Sequence, residues 1–241
     1  MIEPDAHRLT RPPRPETAFA AGAAILTAIL VLAALSLASD AGWIALLPSA
    51  AFAGAMAVAA NRMRSGYPHR ALGACNGVTQ LRAAMVAMLV LPVLVPGAMA
   101  PGAVFALALV ALSLDGVDGW LARRARLSSA FGARFDMEVD SALAAVLAAL
   151  LLLQSDGPLM VAALLVLGFM RYAFVAAAAL LPWLTAPLPD RYSRKAVCVA
   201  QIGALIATLA MPDLTPALPL VALAVLWSFW WDVAWLARRS T

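Results

Sequence analysis

Apolar runs long enough to cross a bilayer recur along the 241-residue chain, at approximately 17–38, 43–61, 74–96, 102–124, 131–154, 158–182, 193–211 and 215–237. A helix of about 20 residues spans a hydrocarbon core roughly 30 Å thick. Inside that core the backbone must satisfy its own hydrogen bonds, which leaves helices as the solution for such runs. Clusters that break helices separate them: "SDAG" at 39–42, "PGAMAPG" at 96–102, "QSDGP" at 154–158, "TAPLPD" at 185–190 and "MPDLTP" at 211–216. The first run follows a polar, Pro- and Arg-containing segment and has the outline of a signal peptide. Its apolar stretch is too long for one, and a second run follows almost at once, so it reads as a membrane helix. The expected fold is an all-α integral membrane protein of about eight transmembrane helices.

Composition agrees. The chain is 64% hydrophobic and 12% charged, against about 25% charged residues in a soluble domain, and its mean hydropathy is +0.89. The formal charge of +4 then reflects basic loops meeting anionic lipid headgroups, not a nucleic-acid partner. Cys75 and Cys198 both lie in apolar segments, read as packed hydrophobes and signal neither a disulfide nor a CxxC metal site. His7 and His69 lie in polar flanks and argue against a His-rich metal site.

The basic residues set the orientation. Arg8, Arg11 and Arg14 precede the first span; Arg62, Arg64 and Arg70 follow the second. Arg123, Arg124 and Arg126 follow the fourth; Arg191, Arg194 and Lys195 lie between the sixth and seventh; Arg238 and Arg239 close the chain. The opposite loops, near residues 40, 99, 156 and 213, contain no Lys or Arg. The positive-inside rule therefore places both termini in the cytoplasm, with the chain in an inner or plasma membrane. That placement requires an even number of spans, which supports eight independently of hydropathy.

One window breaks the apolar pattern. Of thirteen acidic residues in the chain, Asp115, Asp118, Asp136, Glu138 and Asp140 fall within residues 114–142, on the cytoplasmic side by the same rule. Asp115 and Asp118 are three apart near the end of the fourth span, and Asp136 and Asp140 four apart near the start of the fifth. Both spacings put a pair of side chains on one helix face. A short loop at about 125–130 makes the two helices antiparallel neighbours, each aiming its pair at the other. Carboxylates converging without a counter-charge repel and protonate. Divalent cations with oxygen ligands, Mg²⁺ or Mn²⁺, resolve that conflict, and two such ions form a phosphoryl-transfer clamp. The plainer reading is a set of solvated acids paired with Arg123, Arg124, Arg126 and Arg134; the regular spacing disfavours it. Gly119 and Gly132 stand beside the acids in helical context, where Gly costs up to about 1 kcal/mol relative to Ala. Close approach by a nucleotide or by a facing helix would account for them.

The stretch "DGVDGWLARRARLSSAFGARFDMEVD" resembles the signature of the CDP-alcohol phosphotransferases, D-x2-D-G-x2-A-R-x8-G-x3-D-x3-D, at every specified position: Asp115, Asp118, Gly119, Ala122, Arg123, Gly132, Asp136 and Asp140. "ACNGVTQLRAA" at 74–84 is similar to the N-x2-T-x2-R opening of that family's first helix, through Asn76, Thr79 and Arg82. The resemblance implies a six-helix membrane core with a cytoplasm-facing site in which two metal ions, Mg²⁺ or Mn²⁺, hold the pyrophosphate of a CDP-linked donor. It implies metal ligation by Asp115, Asp118, Asp136 and Asp140, with Asp140 also the base that deprotonates the acceptor alcohol as CMP leaves. It further implies donor-nucleotide binding by Asn76, Thr79, Asp118, Gly119, Ala122, Arg123 and Gly132, and a homodimer. The catalytic core would cover residues 71–241, with residues 1–70 contributing a cytoplasmic segment and two additional helices in front of it.

Other polar residues extend this reading. Arg171 reads as a snorkelling side chain or as a cavity arginine for an anionic substrate group. Arg191, Arg194 and Lys195 read as a topology-setting loop or as part of the same anion site, an acceptor or phosphate-binding group. Gln201 suits a hydrogen bond across helices. Trp227, Phe229, Trp230, Trp231 and Trp235 read as an interfacial anchor.

Transfer of a phosphoalcohol, with a phosphatidyl group from CDP-diacylglycerol as the leading version, to a small alcohol acceptor is thus the expected activity, set in phospholipid biosynthesis. The acceptor, phosphorylated or not, is left open. A cation-coupled transporter using buried carboxylates is the alternative. It would favour inverted repeats or helices broken at the midplane, and the sequence has neither.

Overall fold

The computed structural model describes residues 14–189 and 191–240. His7, Arg8 and Arg11 of the N-terminal flank lie outside the described residues. Eight α-helices follow in order: α1 Pro15–Leu37, α2 Leu47–Gly66, α3 Ala74–Leu94, α4 Pro101–Ala125, α5 Ala130–Leu152, α6 Pro158–Leu180, α7 Tyr192–Ala210 and α8 Leu218–Ser240. There are no strands among the described residues. Seven of the helices, taken with their flanking turns, are long and apolar enough to cross a membrane; α5 is excepted. It has 23 residues, but Arg134, Asp136, Glu138 and Asp140 crowd its first half and only its second half is continuously apolar. The eight-helix integral membrane architecture expected from hydropathy is the one found.

Proline opens α1, α2, α4 and α6 within their first two positions, where its fixed φ suits a helix and no amide hydrogen is needed. Two boundaries differ from expectation. The second span was expected from about residue 43, but residues 39–46 form 3-10 turns and α2 starts at Leu47. Gly42 has φ 58 and ψ −134, a conformation that interrupts any continuous helix there and that glycine adopts without a Cβ penalty. Similarly, residues 212–217 are 3-10 turns, so α8 begins at Leu218 rather than 215.

α3 is the hub: it packs against α1, α2, α4 and α5. On its far side α5 packs on α6 and α7, and α6 and α7 both pack on α8. Leu143 and Leu147 of α5, Leu164 and Leu167 of α6, and Leu205 of α7 are all fully buried, at three- and four-residue spacings that place them on one face of each helix. Ile25, Ile29 and Leu32 of α1 are more than half exposed, a stripe that faces lipid. Because lipid tails are as apolar as these side chains, close packing rather than the hydrophobic effect holds such helices together. Gln80 Nε2 of α3 donates to the Phe19 carbonyl of α1 at 2.8 Å, pinning α1 to the hub.

Gly168 shows how tight the packing is. A Cβ there would lie 2.6 Å from the Ala148 Cβ and 3.4 Å from the Ala145 Cα across the α5–α6 crossing. Gly168→Val should therefore lower stability by about 1–3 kcal/mol, the usual cost of overpacking. Gly54, around which a Cβ meets nothing within 4 Å, supplies the control: thermal unfolding in detergent should show a lowered midpoint for Gly168→Val and little change for Gly54→Val.

Candidate active site

The site is assembled on α3. Asn76, Thr79 and Arg82 follow one another at three-residue intervals and so share a face, and all three are buried. Arg82 has no exposed surface. Its Nε donates to the Ala111 carbonyl of α4 at 3.0 Å. Its Nη1 donates to Asp118 Oδ2 at 2.9 Å, pairs with Asp115 Oδ1 at 3.0 Å and pairs also with Asp136. Its Nη2 binds Asp140. One guanidinium thus gathers all four motif carboxylates. Thr79 Oγ1 stands 2.9 Å from Asp118 Oδ2 and 3.0 Å from the Cys75 carbonyl; its single proton serves one of the two at a time.

This corrects two expectations. α4 and α5 are not the close helical neighbours expected, since they barely touch and both pack on α3 instead, although their carboxylates do converge, Asp115 and Asp118 of α4 coming together with Asp136 of α5. Nor do the carboxylates converge without a counter-charge, because Arg82 supplies one from within. A cation buried in an apolar helix is itself a pointer to a functional site, and Arg82 belongs to this one although it is not among the expected site residues.

Asp115, Asp118 and Asp136 each present an oxygen within 4.8 Å of the other two. Three hard carboxylate oxygens so close together fit Mg²⁺ or Mn²⁺ by donor chemistry. Asp140 is not one of this trio and pairs with the other terminal nitrogen of Arg82. Asp118 is the most enclosed of the four, with 5% of its side chain exposed, against 31% for Asp115, 35% for Asp136 and 19% for Asp140.

Beside the acids lies a cleft of about 150 Å³, and Asn76, Thr79, Asp118, Gly119, Ala122, Arg123 and Gly132 all line it, together with Asp136. The structure therefore brings together every residue expected to meet the donor nucleotide. A Cβ on Gly132 would come within 3.3 Å of Ser129 Oγ, the cap of its own helix, and would meet Asn76 Oδ1 of the facing α3 at 3.6 Å, an ordinary contact distance, so the facing helix does not by itself account for the glycine. A Cβ on Gly119 would meet the Arg123 guanidinium at 3.3 Å. The turn that closes the cleft is locally encoded. Arg126 ends α4 at φ 57, the Leu127 amide donates to the Ala122 carbonyl at 3.0 Å, and Ser129 caps α5 by accepting from the Gly132 amide at 3.0 Å.

The four basic residues expected to bind an acceptor or phosphate are mostly committed within the chain. Arg171 pairs with Glu138 of α5. Arg191 pairs with Asp232 of α8 at 3.3 Å and lies 5.7 Å from the ring centres of Trp227 and Trp231. Arg194 lies 3.5 Å from the other Asp232 oxygen. Lys195 is exposed. Asp232, 5% exposed, escaped notice in the sequence because it sits alone among tryptophans. Gln201 donates to the Leu167 carbonyl, the interhelical bond expected of it.

Comparison with known proteins agrees with this geometry. The family model described as CDP-alcohol phosphatidyltransferase matches residues 72–235, and the chain belongs to that family. Membership implies a membrane phosphatidyltransferase acting on a CDP-alcohol and an acceptor alcohol. No curated protein and no solved structure gives a match.

Proposed function

We propose that the protein transfers a phosphatidyl group from CDP-diacylglycerol to the hydroxyl of a small acceptor alcohol, releasing CMP, at the cytoplasmic face of the membrane. The observation that carries this reading is the convergence of the four motif aspartates on Arg82 beside a cleft lined by all seven donor-binding candidates. In it, Asn76, Thr79 and Arg123 contact the nucleotide, while Gly119, Ala122 and Gly132 keep the cleft walls low. Asp115, Asp118 and Asp136 would hold Mg²⁺ or Mn²⁺, which neutralises charge developing on the donor's phosphates when bound. Asp140 takes the acceptor's hydroxyl proton. The acceptor oxygen forms a bond to the lipid-bearing phosphorus, and the bond from that phosphorus to the oxygen of CMP breaks, with CMP keeping the electron pair. Arg82 holds the Asp140 carboxylate toward the acids and fixes its direction.

Residues 71–241 form the catalytic unit in this reading, residues 1–70 an extension, and the working form is a homodimer. The Glu138 and Asp232 pairings leave Arg171, Arg191 and Arg194 partly neutralised, so a phosphorylated acceptor would have to compete for them; Lys195 is unencumbered by comparison. Against the transporter alternative stand the family match over residues 72–235 and the pairing of all four motif acids with Arg82. The test offers the purified protein CDP-diacylglycerol with glycerol phosphate, inositol phosphate, serine or choline in turn, and identifies lipid products by mass. One new phosphodiester lipid appearing together with CMP is the expected result; CMP without any lipid product would replace transfer by hydrolysis.

A further inference from the structure

A second, larger concavity lies on another face of α5. It is a groove of 1110 Å³ bounded by α2 and α5 with α3 as its floor. It exists because α2 and α5 touch only sparsely and because alanines, among them Ala55, Ala59 and Ala142, line the gap between them. On α2 its lining runs from Ala51 to Gly66, about 22 Å along the helix axis. A single leaflet of hydrocarbon is about 15 Å thick, so the groove reaches from the headgroup level past the midplane. Its lining is mostly apolar, and the two arginines in it, Arg62 near the end of α2 and Arg134 near the start of α5, lie on opposite walls. Both arginines are exposed, and neither forms an ion pair with another described residue. Glu138 also lines the groove, but its carboxylate is taken by Arg171, so the rim is left positive.

We infer that this groove binds an anionic membrane phospholipid, with an acyl chain along the α2–α5 gap and the headgroup phosphate between Arg62 and Arg134. The shape fits a chain lying parallel to the bilayer normal. The volume is somewhat above the roughly 300–1,000 Å³ of pockets that enclose drug-sized molecules. Rim arginines meet phosphate in forked hydrogen bonds, whereas a zwitterionic headgroup returns part of the charge. This lipid is distinct from the donor. Arg134 and Glu138 are each two residues from Asp136, about 200° around the helix, so α5 stands between the groove and the acids. Because α2 supplies one wall and one arginine, the site gives the N-terminal extension a function: it makes the protein responsive to anionic lipid.

The test uses the full chain in detergent, incubated with equimolar dioleoylphosphatidylglycerol and dioleoylphosphatidylcholine, with retained lipid counted by native mass spectrometry. Wild type should retain phosphatidylglycerol in preference. Arg62→Gln with Arg134→Gln should reduce that preference roughly thirtyfold, the effect expected of two arginines at an anionic headgroup. Ala55→Phe, whose ring would fill the groove, should abolish retention of both lipids. Equal retention of the two lipids by wild type, or an unchanged preference in the double glutamine variant, would overturn the inference. So would a wild-type dimer that retains no lipid and is split by Ala55→Phe, which would make the groove a seam between copies. The glutamine substitutions are at exposed positions and decide the matter even if Ala55→Phe fails to yield monodisperse protein.

Discussion

Arg82→Met should destabilise the protein by about 3–5 kcal/mol when divalent cations are chelated, the range for breaking a buried ion pair and leaving its partner uncompensated. Methionine keeps the apolar stem of the side chain and removes the guanidinium, its charge and its hydrogen-bond donors together. Asp118, 5% exposed, then loses its charged partner in a place water scarcely reaches, and the Ala111 carbonyl loses its donor. Asp115 and Asp136 keep about a third of their surface in water and suffer less, so most of the penalty falls on Asp118. Mn²⁺ should return part of the loss, since a ligand at a hundred times its Kd adds about 2.7 kcal/mol to the folded state. The gap between melting midpoints in chelator and in Mn²⁺ should accordingly be wider for Arg82→Met than for wild type. A variant that melts with wild type in chelator would mean that Arg82 is not the counter-charge of the cluster.

Asp140→Asn should cut turnover by about 10²–10⁴, the usual consequence of losing a general base, while leaving affinity for the CDP-linked donor within a few-fold of wild type. Asp140 is one helical turn beyond Asp136, about 6 Å further along α5, and lies outside the trio of mutually close carboxylate oxygens. An asparagine oxygen still accepts from Arg82 Nη2, so the substitution removes basicity with little loss of structure. Nucleotide affinity and single-turnover rate measured on the same variant separate the two roles Asp140 can play. Donor affinity falling in step with turnover would make it a metal ligand and not the base.

The helices were legible because hydrophobic run length and helix-breaking clusters are local properties. Even α5, whose acids dilute its apolar character, was legible from the apolar run that fills its second half. The start of α2 was not legible: residues 43–46 are equally apolar in an α-helix or in 3-10 turns, and only the backbone at Gly42 tells them apart. In the site, three- and four-residue spacing identified which carboxylates share a helix face. It could not say what else that face meets, and so the packing of both α4 and α5 on α3, with Arg82 among their acids, was not legible. The role of Arg82 was not legible either, because its four partners lie between 33 and 58 residues away in the chain. The same distance problem hid Asp232, 41 residues from Arg191, and made three basic residues look freer for substrate than they are.

The most direct test of the central claim is CMP release by the purified protein in detergent, with CDP-diacylglycerol and an acceptor and no ion gradient. Release should require Mg²⁺ or Mn²⁺, should stop on chelation, and should be abolished in Asp118→Asn, whose carboxylate is the most enclosed of the cluster and faces both Arg82 and the cleft. CMP release that persists undiminished in chelator or in Asp118→Asn would contradict the account.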